Sequence, residues 1–221
     1  MLLQFSFSNF KSFRDENTLN MEAASIKEHQ EHLIEKNKNE KYLKLAAIHG
    51  ANASGKSNVV EAMKYMRYII FNSFSKAIEW DSILTKKFKF NEESKKGNSL
   101  FEVFFTVEDI EYQYGFEINE KEIFEEWLYE KKIDEKKDSL VFFREKDKIE
   151  LSKELENYRV ILNTVKEKTL LLSFLANLNI NNITRRFSIN LIHVRYTKLV
   201  ERSLNSIKFA YEALEVFVDK Q

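Results

Sequence analysis

The chain has 221 residues, 35 basic and 35 acidic side chains that cancel to zero formal charge, 43% hydrophobic residues and no cysteine. Such a length and apolar content fit one sizeable folded domain, or a domain with an insertion, and exclude a disordered chain. The charge balance excludes a global electrostatic pull toward nucleic acid or acidic lipid, and the lack of thiols excludes disulfides, thiolate metal sites and Cys nucleophiles.

Phenylalanine is abundant, at 19 residues, so the core is expected to be large and aromatic. The basic pairs Lys131-Lys132, Lys136-Lys137 and Arg185-Arg186 read as solvated surface. His29 and His32 could share a helix face, but no second pair completes a metal site with them. No apolar run is long enough to span a bilayer and no leader-like segment opens the chain, so a soluble, cytoplasmic protein with no membrane partner is expected.

Residues 2–8 alternate, with Leu3, Phe5 and Phe7 on one face, which predicts a half-buried strand. A weaker alternation through Leu19 and Met21 predicts its antiparallel partner. Residues 25–42 are charged and aperiodic and read as a loop or surface helix. Leu43 to Ile48 is a continuous apolar run, the pattern of a central strand covered on both faces. Beyond Ser57 the period changes: Val59, Met63, Met66 and Ile70 line one face of a helix ending near 71–75. Residues 100–151 read as an antiparallel meander. Phe101 to Val107 and Ile110 to Ile118 alternate around a turn at Glu108-Asp109, and further strands are predicted at 123–131, 139–144 and 147–151. From Leu155 the chain turns helical, with an apolar stripe through Leu170, Leu171, Phe174, Leu175 and Leu178. Residues 189–196 predict a further strand and 198–219 an amphipathic helix. The predicted organisation is a core over 1–87, a β-subdomain over 88–151 and a helical segment over 152–221.

The chemistry concentrates in Gly50-Ala51-Asn52-Ala53-Ser54-Gly55-Lys56-Ser57, which matches G-x-x-x-x-G-K-[ST] at every fixed position. Only four glycines occur in the chain and two of them stand here. Each fixed residue has a task. Glycines allow positive φ and close backbone approach, so that successive amides form an anion nest. The helix that follows adds its unpaired amides and its dipole. Lys56 supplies a point charge for the β- and γ-phosphates, and the Ser57 hydroxyl a ligand for Mg²⁺. Ala53, Ser54, Gly55, Lys56 and Ser57 are therefore the expected nucleotide-binding residues, with Mg²⁺ on Ser57. A GTPase would also need an Asn/Thr-Lys-x-Asp element, and Asn163-Thr164-Val165-Lys166 has the wrong spacing for one.

Asn9-Phe10-Lys11-Ser12-Phe13 and then His49 to Asn58 resemble the ABC-type ATPase heads of the RecF and SMC kind, and within them the bacterial AAA-family proteins of antiphage and abortive-infection systems. Phe101 to Phe105, Tyr112 to Ile118 and Glu125 to Tyr129 resemble the β-subdomain of the same heads. The resemblance implies an α/β P-loop NTPase fold with a core sheet, an antiparallel meander insertion and C-terminal helices. It implies ATP as the nucleotide with Mg²⁺, places Lys11 and Ser12 beside that nucleotide, and adds Asn58 as a residue that holds the loop and Asn52 as one that touches the γ-phosphate across a dimer interface. Read from the residues alone, Lys11 and Ser12 could equally end a strand in solvent. It further implies dimerisation through two heads that sandwich two nucleotides, read by an effector such as a nuclease or toxin, and it leaves nucleic acid open as a partner.

The chain departs from the family pattern in its acids. No apolar run ends in Asp-Glu: Ile133-Asp134-Glu135 follows two lysines, and Val107-Glu108-Asp109 has the order reversed. A Ser-Gly-Gly-type signature is also missing, and neither Asn177 nor Gln113 is a secure equivalent of the glutamine that senses Mg²⁺ in such heads. The expectation is the N-terminal portion of an ATPase, with ATP binding stronger than ATP cleavage. A non-hydrolysing nucleotide-binding regulator and a small-molecule P-loop kinase are the alternatives.

Overall fold

The computed structural model describes residues 1–26, 30–37, 40–76, 79, 82–133, 135 and 137–178. The strand expected at 189–196, the helix at 198–219, Arg185-Arg186 and His29 lie outside the described residues.

Seven strands form one antiparallel sheet in the order β2-β1-β5-β6-β7-β8-β9. They are β1 (Leu2–Ser8), β2 (Asn17–Asn20), β5 (Ser99–Val107), β6 (Ile110–Ile118), β7 (Ile123–Lys132), β8 (Ser139–Glu145) and β9 (Lys148–Leu151). A separate hairpin, β3 (Leu33–Glu35) with β4 (Lys41–Leu43), occupies the region read as a loop or surface helix. Alternation dictates the meander: Phe101, Val103 and Phe105 on β5 face Phe116, Tyr114 and Tyr112 on β6, and all six are buried. The turn between them is Glu108-Asp109, as expected, with Glu108 at φ 53°. The first strand joins this sheet directly, Phe5 opposite Val103 and Phe7 opposite Phe101. Segments 1–87 and 88–151 thus share one sheet.

Helix α1 (Lys56–Lys76) follows the phosphate-loop motif and buries Ala62, Tyr65, Met66, Ile69 and Ser73, one face at helical spacing. Tyr65 lies 5.2 Å, centroid to centroid, from Phe101, so this helix packs on the aromatic face of the sheet. Three short α-helices follow among the described residues: α2 (Glu92–Lys96), α3 (Arg159–Leu162) and α4 (Leu171–Asn177). The first of these is capped by Asn91, whose side chain accepts from the Ser94 amide.

The segment entering α4 is held from two sides. From the sheet, Glu126 accepts the Leu171 and Leu172 amides at 2.5 and 3.0 Å, and the Arg144 guanidinium donates to the Thr169 and Lys166 carbonyls at 2.8 and 3.1 Å. From α1, Ser73 Oγ accepts the Leu170 amide at 3.2 Å and donates to Ser173 Oγ at 3.0 Å.

One expectation is overturned. Leu43 is the last residue of β4, and residues 45–50 belong to no strand, with Leu45 and Ile48 each 42% exposed. An apolar run becomes a central strand where strands on both sides take up its backbone hydrogen bonds, and among the described residues no strand pairs with 45–50.

Gly115 shows how tightly the meander is fitted. A Cβ there would stand 2.4 Å from Trp127 Cζ2 and 3.0 Å from the Phe101 carbonyl. The indole cannot step aside freely, because its Nε1 donates to Glu102 at 2.9 Å. Gly115→Ala is expected to lower the unfolding free energy by about 1–3 kcal/mol, an overpacking cost read from the shift of the denaturant midpoint.

Candidate functional site

The loop from Gly50 to Gly55 is exposed over its first five residues and becomes half-buried at Gly55 and Lys56, where α1 begins. Its curvature comes from two left-handed residues, Ala53 at φ 63° and Gly55 at φ 93°. Gly50 closes against the far side of the loop: a Cβ on it would lie 3.0 Å from Ser54 Oγ. Asn58 and Val59 turn their amides back to the Gly55 carbonyl at 2.8 and 3.3 Å. The Lys56 and Ser57 amides, at the very start of the helix, have no intrahelical carbonyl within reach. No acidic residue stands in the first turn to offset the positive end of the dipole.

Lys56 points back along the loop, donating to the Gly50 carbonyl at 2.7 Å and the Ala51 carbonyl at 2.6 Å. Its ammonium therefore lies inside the curve of the backbone and not in apolar packing. The Ser57 side chain is exposed at the helix start.

Lys11 and Ser12 come to the same place. Phe10 and Phe13 exchange both backbone hydrogen bonds at 2.9 Å, so Lys11-Ser12 is the tip of a two-residue turn, with Lys11 at φ 51°. Asn58 Nδ2 donates to Ser12 Oγ at 2.8 Å, and Lys11 pairs with Glu61 on the second turn of α1. Gly55 is where the turn and the loop meet: a Cβ would stand 3.0 Å from the Phe13 ring and 3.1 Å from Ser12 Oγ. At that position glycine answers both to the backbone angle and to close approach. The structure thus gathers Lys11, Ser12, Gly55, Lys56, Ser57 and Asn58 at one end of α1, while Asn52, Ala53 and Ser54 line the exposed arc of the loop. Phe10 is fully buried and Phe13 partly so, against Phe7 and the loop; both serve packing.

Asn177 closes α4, and Gln113 lies within β6 with its amide on Glu102 at 2.7 Å, so Gln113 does not reach the loop. Among the described residues, no three His, Cys, Asp or Glu side chains stand close enough to hold a metal ion. Sequence reading missed Glu61. Its Lys11 partner holds the carboxyl below the usual carboxylate range, with Lys86 and Lys64 adding to the effect. Its signal was the i,i+4 spacing from Ser57, which puts it near the loop.

The model of the family described as "AAA domain, putative AbiEii toxin, Type IV TA system" matches residues 45–208, well over half of the chain. The chain belongs to this family. The AAA match begins just before the phosphate loop and identifies the protein as an AAA-type P-loop nucleotide-binding ATPase. Its mixed α/β architecture agrees with that fold. No curated protein matches this AAA chain. No helix among its described residues is long and apolar enough to cross a membrane.

The residues present fit a magnesium nucleotide. The loop supplies amides curved by Ala53 and Gly55, an ammonium held inside that curve, an exposed serine hydroxyl, and glycine where a Cβ would crowd the Lys11-Ser12 turn. Lys56 would hold the β- and γ-phosphates, and Ser57 the metal.

Proposed function

We propose that this chain binds Mg-ATP at Gly50 to Ser57 and serves as a nucleotide-dependent switch in phage defence or DNA maintenance. The observation that carries the reading is the Lys56 ammonium turned into the loop, on the Gly50 and Ala51 carbonyls, at the open end of α1. A polyanion that enters the loop offers Lys56 charged oxygens in place of those neutral carbonyls, a stronger partner for an ammonium. The loop amides and the helix dipole add to the attraction without rearrangement. Magnesium, when bound, would neutralise phosphate charge, and the Ser57 hydroxyl would be its ligand from this chain. Two copies closing around two nucleotides, with a toxin or nuclease effector reading the closed state, is the form of switch proposed; the family's description links this AAA domain to toxin–antitoxin systems and says nothing of a separate effector.

Binding and cleavage should separate. Polarising water for attack takes a carboxylate beside the γ-phosphate, and no apolar run in the sequence ends in an Asp-Glu pair. Purified 1–221 is therefore expected to bind Mg-ATP in calorimetry while releasing phosphate at the rate of a buffer control. Phosphate release well above that control, lost in Lys56→Ala, would place a catalytic carboxylate among the residues present. Phosphate transfer from ATP to an added small metabolite would move the reading to a kinase.

A further inference from the structure

The Lys11-Ser12 turn is fastened to α1 at two points. Ser12 Oγ takes the Asn58 amide hydrogen at 2.8 Å, and Lys11 pairs with Glu61. Residues 58 and 61 are three apart on the helix and so lie on one face. Lys86 approaches the same Glu61 oxygen at 3.9 Å, and its carbonyl accepts the Lys11 amide at 2.6 Å. Glu61 therefore gathers ammonium groups from two distant chain segments beside the start of the phosphate-loop helix.

This arrangement runs against two local preferences. Lys11 holds φ 51°, a left-handed backbone that a residue with a Cβ rarely adopts. Its side chain, 28% exposed, also gives up rotamer freedom to stay on Glu61. The left-handed angle is what a two-residue turn demands at its first position, but nothing in the turn itself requires the Lys11 side chain to be held on Glu61. The placement also has a definite address, because Ser12 and Phe13 press on Gly55, inside the loop that curves around Lys56. Lys11, Lys86 and Glu61 sum to one positive charge, so pairing leaves the rim of the loop cationic.

We propose that Glu61 is a positioning residue of the phosphate site: with Asn58 it docks the Lys11-Ser12 turn on Gly55 and holds the Lys11 ammonium at the rim of the loop, as a second cation for a polyphosphate beside Lys56. This rests on the nucleotide-binding reading above. Its consequence is selection by phosphate-chain length and not by net charge: magnesium brings ATP close to the charge of a free monophosphate, and only the longer chain reaches from Lys56 to the rim cation.

The test is calorimetric titration of the full chain with Mg-ATP and with AMP, together with amide exchange across Phe10 to Phe13. Glu61→Ala should weaken Mg-ATP binding about five- to tenfold, the scale of one charge-assisted contact, and AMP binding less than about twofold. Glu61→Gln, which keeps the shape and removes the charge, should weaken it similarly, and Glu61→Asp should recover part of the loss. In a Lys11→Ala background, Glu61→Ala should add nothing, because the two act through one contact. Exchange at Phe10 to Phe13 should speed up in Glu61→Ala without any nucleotide present. Unchanged or tighter Mg-ATP binding in Glu61→Ala, equal losses for ATP and AMP, or additive effects with Lys11→Ala would each overturn the proposal while leaving Lys56 and the loop in place. No Mg-ATP binding by the unaltered chain would remove the phosphate site itself, and the role of Glu61 with it.

Discussion

Lys56→Ala is expected to weaken Mg-ATP binding by about a hundredfold or more, the loss of a charge that bridges two phosphates in a partly enclosed loop. Lys56 is half-buried, and the hydrogen bonds of its ammonium to described residues go to two carbonyls of its own loop. Removing it leaves those carbonyls in an exposed segment where water can reach them. The fold should therefore stand, with unfolding free energy changed by less than about 1 kcal/mol. Lys56→Arg is not a conservative control: a planar guanidinium needs more room than a point ammonium in a loop that closes from Gly50 onto Ser54. It should also bind poorly. Matched titrations and denaturant melts decide the matter. An alanine variant that bound Mg-ATP normally would sink the assignment of the loop, and a variant that failed to fold would mean that Lys56 serves structure.

How far the sequence led differs from element to element. The β5–β6 hairpin was legible because period-two alternation runs unbroken on both sides of Glu108-Asp109, and the register follows from the turn. Helix α1 was legible from apolar spacing of 4, 3 and 4, and the phosphate loop from residue types that only a phosphate cradle needs together. Pairing across distance was not. Phe7 meets Phe101 over more than ninety residues, and nothing local in either strand names its partner. The run from Leu43 to Ile48 misled because hydrophobicity alone does not supply strands on both sides. Glu61 was hidden for a different reason: a carboxylate on an amphipathic helix looks like solvated surface until a turn from elsewhere lands on it.

Glu126 was hidden too, and a bulge explains why. The β6–β7 register shifts where Glu117 and Ile118 face Glu125 and Ile123, leaving Phe124 as the extra residue. Without the bulge Glu125 and Trp127 would follow Ile123 inward. With it the buried positions are Glu126 and Leu128. A charged residue is thereby turned to the covered face, opposite Arg144 on β8.

Glu126→Ala is consequently expected to be among the most damaging single substitutions, costing about 3–5 kcal/mol in unfolding free energy. The carboxylate is fully buried and accepts from three donors: the Leu171 and Leu172 amides and the Tyr114 hydroxyl at 3.0 Å. Alanine would strand all three away from water and open a cavity under α4. Arg144 would also lose the nearby negative charge that helps it grip the Lys166 and Thr169 carbonyls. Glu126→Gln should cost less, because it keeps one acceptor and fills the space. Acidity separates the two forms further. Burial raises the Glu126 carboxyl above its ordinary 4.5, against the opposing pull of the Leu172 amide, Arg144, the Leu171 amide and Tyr114. A carboxyl raised on folding contributes its stability fully below the unfolded value and loses it as pH climbs through the folded one. The margin of the unaltered protein over Glu126→Gln should therefore shrink as pH rises from about 4.5 through the folded-state value, the opposite of an exposed salt bridge. Denaturant midpoints of both proteins across that range measure it. A margin that widened with pH would mean that the three donors and Arg144 outweigh burial, and that Glu126 is held ionised as the anion that caps α4.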